Sequence, residues 1–309
     1  MSGLVRFLRR LQIWLPRRWH TGWPLRAGRL PPPGTAQAAA RCGAWALAWA
    51  SHTGPHHLNQ DCAGATWRHA GEGGGLAVAV ADGVTNGAAG DVAALALVQH
   101  WLQGPKPPQR QRTFLGAAET AVVTALRQLT PEPGAATGAA CWLGPDGSGW
   151  ATRVGDCRLL HVAPPLAGLA MRWSAQPLLP DQTYANLGQV GQDWQPSGLE
   201  AEQPARMVGV GSLGEPERVA LTLVGGELLL LVSDGLHSVL TNDDWHAVLS
   251  HHLGSVPNPV MAAAQPQSTL LALADHLIQT AIQRGSDDDI TVLAVMRCAA
   301  HPSQKEPPT

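Results

Sequence analysis

Apolar residues along this chain gather into short runs that stop on acids. Leu76-Ala-Val-Ala-Val-Ala-Asp82-Gly83 and Glu227-Leu-Leu-Leu-Leu-Val-Ser-Asp234-Gly235 each read as a buried strand that ends by presenting a carboxylate. Gly285-Ser-Asp287-Asp288-Asp289-Ile-Thr-Val-Leu-Ala-Val runs the other way, with acids leading into a strand. The alternation of Trp45, Leu47 and Trp49 marks residues 42–51 as the first strand, and residues 63–69 suit a second. Residues 138–143, 149–154 and 157–162 are three short strands joined by Gly144-Pro-Asp-Gly147 and Gly155-Asp156, turns short enough for antiparallel hairpins. Residues 219–224 and 227–232 read as a pair around Gly225-Gly226, and Ile290–Arg297 closes the series.

Helical spacing falls between these runs. It covers the small apolar stretch after Asn86, residues 112–130 between proline breakers, and residues 243–253 and 269–284. Residues 164–205 lose periodicity, which predicts a long irregular insertion with one short helix near residues 181–187. Hairpin strands with helices in pairs predict an α+β fold, an antiparallel β-sandwich flanked by helices on both sides (α-β-β-α).

Length and charge refine this picture. The 309 residues suit one large domain at 42–298, a basic, Pro-rich extension at 1–41 and a polar tail at 299–309. Residues 1–41 hold eight arginines and no acid, so the net charge of −2 divides into +8 there and −10 elsewhere. An acidic body argues against nucleic-acid binding. The segment 1–30 reads either as a contact for an anionic membrane or a partner, or as a solvated tail, and its composition favours the tail. Five cysteines (Cys42, Cys62, Cys141, Cys157, Cys298), odd in number and without a Cys-x-x-Cys pair, suit reduced core residues of a cytoplasmic protein. No stretch has the roughly 20 apolar residues of a membrane span.

The acidic strand ends carry the chemistry. Two carboxylates about 4 Å apart repel by roughly 4 kcal/mol at the effective dielectric of a partly buried site, so several that converge need protons or cations. Oxygen-only donors suit hard ions such as Mg²⁺ or Mn²⁺. The competing reading is that each Asp-Gly is a plain turn. Asp156, at a strand-to-strand turn, adds a fourth acid. The loop Gly54-Pro-His56-His57-Leu-Asn59-Gln60-Asp61 reads as a site or as a polar turn.

Taken in order, these motifs resemble the metal-dependent (PPM, type 2C) Ser/Thr protein phosphatases over about residues 42–297. The resemblance is carried by Asn59-Gln60-Asp61, by Asp82-Gly83 with Gly90 and Ala93, and by Thr137-Gly138-Ala139 with Val154-Gly155-Asp156-Cys157-Arg158. It continues through residues 206–214, Ser233-Asp234-Gly235-Leu236 and Asp288-Asp289-Ile290-Thr291. It implies two ions, Mn²⁺ or Mg²⁺, with Asp82 bridging them, the Gly83 carbonyl completing one, and Asp234 and Asp288 holding the other. It also implies a looser third ion at Asp156, with Gln60 and Asp61 in the metal set. The implied activity is hydrolysis of phosphoserine and phosphothreonine esters by a metal-activated water, on a phosphorylated protein substrate of a Ser/Thr kinase. No protein nucleophile is then needed, and Cys157 is expected as a packed thiol.

Three positions depart from the family pattern. His56 or His57 stands where an Arg usually grips phosphate, and imidazole lacks its bidentate fork. Val84 and Gly87 occupy positions where relatives place a general-acid His. Asp289 replaces an Asn, either adding charge to the metal site or facing solvent. A pseudophosphatase that binds a phosphoprotein or kinase without turnover, and a scaffold with a structural cation, therefore stand as alternatives.

Overall fold

A computed structural model describes residues 35–42, 44–55, 58–68, 75–84, 89–103, 111–163, 173–187, 198–211, 213, 217–254 and 266–298. Among the described residues, eleven strands form two antiparallel sheets. One has the order β1 (Thr35–Cys42), β2 (Trp45–His52), β11 (Ile290–Arg297), β10 (Leu228–Val232), β7 (Arg158–Ala163), β8 (Ser174–Pro177). The other has the order β3 (Cys62–Arg68), β4 (Gly75–Gly83), β5 (Ala136–Leu143), β6 (Ser148–Val154), β9 (Glu217–Thr222). Helices α1 (Gly90–Gln103) and α2 (Gln111–Leu129) cover the five-stranded sheet. Short helices α3 (Tyr184–Leu187), α4 (Leu199–Glu202) and α5 (Asp234–His237) punctuate the connections. Helices α6 (Asn242–Leu253) and α7 (Pro266–Gln283) cover the six-stranded sheet. Among the described residues no helix is long and apolar enough to cross a membrane.

The period of two along each strand sorts its residues into layers. In β4, Leu76, Val78 and Val80 enter the core between the sheets, whereas Ala79 and Ala81 face α1. In β10, Leu229 and Leu231 point between the sheets, whereas Leu228, Leu230 and Val232 face the helices. Both faces are covered, which is why these strands are written as unbroken apolar runs. Removing a side chain such as fully buried Leu231 costs about 2–5 kcal/mol, the range for leucine deletions in packed cores.

The expected layers are present, but three connections differ. β1 lies N-terminal to the first strand expected at 42–51, and its eight residues pair with β2 from Thr35↔His52 to Cys42↔Trp45. An Ala-rich edge strand carries little periodic signal, so composition alone assigned it to the extension. β6 and β7 do not form a hairpin: β6 pairs with β5 and β9, and β7 pairs with β10 and β8 in the opposite sheet. Nor do β9 and β10 pair across Gly225-Gly226, since they too lie in different sheets. A short turn permits a hairpin but also suits a corner between stacked sheets, and strand parity cannot tell them apart. In the insertion, the short helix expected near residues 181–187 is present as α3, joined by β8 and α4. Residues 164–172 and 188–197 lie outside the described residues.

Candidate metal centre

The layer between the sheets changes character at one end. Extending each inward-facing row by one step of two leads from Trp49 to Ser51, Ala63 to Asp61, Val80 to Asp82, Ala139 to Thr137, Leu231 to Ser233 and Leu293 to Thr291. Register aligns these ends, with Thr291 opposite Ser51 and Asp82 opposite Thr137. The apolar core is therefore closed by a polar plug. Ser51 Oγ and Thr291 Oγ1 are 2.8 Å apart, Asn59 Nδ2 donates to Ser51 Oγ at 3.0 Å, and the Asp61 N–H donates to Asn59 Oδ1 at 2.9 Å. Ser233 Oγ donates to Asp61 Oδ2 at 2.8 Å while accepting the Thr291 N–H at 2.9 Å.

Carboxylates from separate strand ends sit on this plug. Asp82 ends β4, Asp156 lies in the β6–β7 crossover, Asp234 opens α5 directly after β10, Asp61 precedes β3, and Asp288 precedes β11. Asp82 and Asp234 are hydrogen-bonded to each other, Asp234 feels the charge of Asp288, and Asp156 feels that of Asp234. Burial first, and neighbouring acids second, push the Asp82 and Asp61 carboxyls well above the ordinary carboxylate range. Asp156 is pushed up to about 7 by burial and by Asp234, and burial raises Asp234 as well.

Two glycines permit this convergence. A Cβ on Gly83 would collide with the backbone of Gly90 at the start of α1. One on Gly235 would collide with the Asp289 carbonyl and crowd Asp288. The Asp-Gly pairs are thus places where two backbones press together beside a carboxylate, and not plain turns.

The donor set fits divalent cations. Asp61 Oδ1, Asp156 Oδ1, Asp234 Oδ1 and Gln60 Oε1 are buried without a hydrogen-bond partner among the described residues. Each would carry a desolvation cost that a hard cation offsets, and each is an oxygen, as Mg²⁺ and Mn²⁺ prefer. The fold holds these acids together against their mutual repulsion, and an ion would neutralise it.

The remaining expected residues divide. His56 and His57 lie outside the described residues. Cys157 is fully buried, within 3.3 Å of Thr137 Oγ1, and burial raises its thiol pKa, as befits a packed residue. Asp289 does not face solvent: it is 2% exposed, and its carboxylate accepts the N–H of Gly54 at 2.8 Å and of Gln60 at 2.6 Å. It ties the Gly54–Asp61 loop to the last strand.

Several supporting residues had no distinct signal in the sequence. His237 Nε2 lies 2.9 Å from the Asp156 carbonyl, which only accepts, so Nε2 carries the proton. Burial and Arg158 hold His237 down at about 4, neutral near pH 7. Gln182 brackets the crossover, its Oε1 accepting the Gly155 N–H at 2.9 Å and its own N–H donating to the Gly155 carbonyl at 3.0 Å. Asp181 beside it accepts from Arg153 Nη1 at 3.0 Å and Arg158 Nη2 at 2.6 Å. On α2, Glu119 accepts the N–H groups of Gly209 and Gly211 at 2.6 and 2.9 Å, anchoring the segment before β9.

Comparison with known proteins agrees with this architecture. Residues 193–297 match the family model described as Stage II sporulation protein E (SpoIIE). No curated protein matches the chain. A solved structure described as a bacterial serine phosphatase aligns with a TM-score of 0.61 at 15% identity, over 82% of this chain and 98% of that one. PppA, described as a key regulatory component of the T6SS in Pseudomonas aeruginosa, aligns at 0.56 and 23% identity, over 82% and 97%. The PPM Ser-Thr phosphatase MsPP from Mycobacterium smegmatis, in complex with cacodylate, aligns at 0.53 and 21%, over 85% and 97%. The fold of this chain is that of the bacterial PPM Ser/Thr phosphatases, reached at low sequence identity, and the α-β-β-α expectation is borne out.

Proposed function

We propose that this chain is a metal-dependent protein phosphatase that hydrolyses phosphoserine and phosphothreonine esters. The observation that carries the reading is the gathering of Asp61, Asp82, Asp156 and Asp234 from four separate strand ends, with buried carboxylate oxygens lacking partners. Asp82, Asp234 and Asp288, with the Gly83 carbonyl, would hold two Mn²⁺ or Mg²⁺ ions; Asp156 would hold a looser third, and Gln60 and Asp61 would offer further oxygens. When bound, such ions supply an acidified water and positive charge against the phosphoryl oxygens. The chain itself keeps the acids converged. Ser233 orients Asp61, Asp289 fixes the loop carrying Gln60, and neutral His237 holds the Asp156 carbonyl. The buried, protonated Cys157 thiol is unsuited to attack phosphate.

The phosphoryl group would be met by the loop bearing His56 and His57. A phosphorylated protein, the product of a Ser/Thr kinase, is the proposed substrate, and the cytoplasm the proposed compartment. The catalytic body runs through residue 298, with the basic segment before β1 as an extension that could contact a membrane or a partner, and 299–309 as a tail. A second reading, binding without turnover, is favoured by the histidines standing where Arg is usual. The deciding experiment assays a phenyl phosphate ester and a phosphothreonine peptide with Mn²⁺, Mg²⁺ or chelator. Ion-dependent phosphate release supports the enzyme; peptide binding with no release under any ion supports the second reading.

A further inference from the structure

Away from the acidic end, the helical layer over the six-stranded sheet carries a second cluster of potential ligands. His251 and His252, in the last turn of α6, meet His276 in the middle of α7. One ligand nitrogen from each ring lies within 4.8 Å of those of the other two. His252 Nε2 and His276 Nδ1 are 3.0 Å apart. The three rings stand nearly perpendicular to one another, at 76–89°, with centroids 4.8–5.4 Å apart.

We propose that His251, His252 and His276 form a binding site for a zinc-class divalent transition ion, separate from the acidic centre. Ligands at about 2.0–2.1 Å in a tetrahedral site lie about 3.3–3.4 Å apart. The His252–His276 pair, now hydrogen-bonded at 3.0 Å, is already near that spacing and would exchange the shared proton for the ion. With the three ligand atoms within 4.8 Å of one another, closing the set takes up to about 1.4 Å of movement, which the exposed His251 can supply. An all-imidazole set selects Zn²⁺, Co²⁺, Ni²⁺ or Cu²⁺ over the hard ions that suit the carboxylates, so the two sites would sort metals by ligand chemistry. Three protein ligands leave a fourth position for water or an added ligand.

Its position gives the ion a mechanical role. Arg284, just past the end of α7, pairs with Asp244 in the first turn of α6. Asp244 to His252, and His276 to Arg284, are each eight residues, about 12 Å of helix. An ion at the histidines would close a second clamp between the same two helices, about two turns from the first. Helix α6 leads away from Asp234, and α7 leads into Asp288.

The test uses full-length, tag-free protein stripped of metal and titrated with Co²⁺, whose visible absorption reports nitrogen ligation at low coordination number. Wild type and Asp82→Asn are each expected to show a visible band that saturates at about one Co²⁺ per chain, beyond any Co²⁺ held weakly coloured by the carboxylates, and Zn²⁺ should displace that band and raise the Tm of both. His276→Ala and His251→Ala should each lose at least about tenfold in affinity. Should His276→Ala fail to fold, His251→Ala, at an exposed position, decides the matter. Absence of a visible band in wild type, or a band unchanged by His251→Ala, would overturn the site. Because the band reports nitrogen ligation, which the all-oxygen acidic centre cannot give, and should persist in Asp82→Asn, failure of the phosphatase reading would leave this result untouched.

Discussion

Asp289 Oδ2 accepts the backbone N–H of Gln60 at 2.6 Å, joining the loop before β3 to the residue before β11. With Oδ1 on the Gly54 N–H, the carboxylate holds both ends of the segment that carries His56 and His57. A side chain that the sequence offered as an extra metal charge or a solvated acid is instead a buried bracket. Each N–H left without its partner costs about 1–3 kcal/mol. Asp289→Ala is therefore expected to lose about 2–5 kcal/mol in urea unfolding. Asp289→Asn, which keeps one acceptor oxygen, should lose about half as much, and equal losses would mean that the paired hydrogen bonds do not matter.

The acid cluster predicts how ions and protons compete. Without divalent ions, the carboxyls of Asp61, Asp82, Asp156 and Asp234 lie above their unfolded values. A raised carboxyl favours the folded state below the unfolded pKa of about 3.9 and loses that contribution as pH rises through its folded value, about 7 for Asp156. In chelator the protein should lose cluster stability between pH 5 and 8. Mn²⁺ at about a hundred times its Kd should then raise the Tm by about 5–10 °C at pH 8. At pH 5, where Asp156 already carries its proton, the increment should be smaller. A thermal-shift series over pH checks the ordering, and an increment larger at pH 5 contradicts it.

Much of this arrangement was legible in the sequence. The runs ending at Asp82 and Asp234, and the acids before Ile290, announced three strand ends, and the helices at 112–130, 243–253 and 269–284 fell within a few residues of α2, α6 and α7. The polar plug was legible in principle as well: continuing the inward rows by two positions reaches Ser51, Thr137, Ser233 and Thr291, but that parity is known only once the inter-sheet face is assigned. Sheet membership was not legible. Gly155, with a φ of 89°, turns β6 toward the opposite sheet, and the Gly155-Asp156 pair reads the same in a hairpin. His237, Gln182 and Glu119 act through contacts across long separations, which leave no local pattern.

Strand β1 revises where the folded body begins. It covers the outer edge of β2 with eight paired residues. Removing residues 1–41 would strip that strand and expose the N–H and C=O groups along the β2 edge, which invites association. Removing residues 1–34 leaves the pairing intact. The shorter truncation should match the full chain in Tm and in light scattering, whereas the longer should melt lower and self-associate. Identical behaviour of both truncations would show that β1 contributes nothing.

Asp244 caps α6 in a reciprocal box: its N–H donates to Thr241 Oγ1, and its carboxylate accepts the Thr241 N–H. Hydrogen bonds from Arg284 and Thr241 pull its pKa down to about 2. The exposed Arg284 adds little through charge alone, so the cap dominates. Asp244→Ala, which removes the acceptor for the Thr241 N–H and hydroxyl but keeps the Thr241 cap itself, should cost about 0.5–1.5 kcal/mol near neutral pH. A depressed carboxyl stabilises above its unfolded pKa, and that contribution is lost as pH falls through about 2. The gap between wild type and variant should hold from pH 8 to 5 and shrink from pH 4 downward. A gap that widens in acid would contradict the assignment.

Electron paramagnetic resonance of Mn²⁺ added to the wild type and to Asp82→Asn would show whether the converging acids hold paired ions. If Asp82 is shared between two ions as proposed, the wild type should bind about two Mn²⁺ per chain with a spin-coupled spectrum. Asp82→Asn should lose the coupling and at least one ion while keeping its far-ultraviolet circular dichroism. A wild type that binds no Mn²⁺, or an Asp82→Asn variant whose coupled spectrum is unchanged, would contradict a metal centre built on converging strand ends.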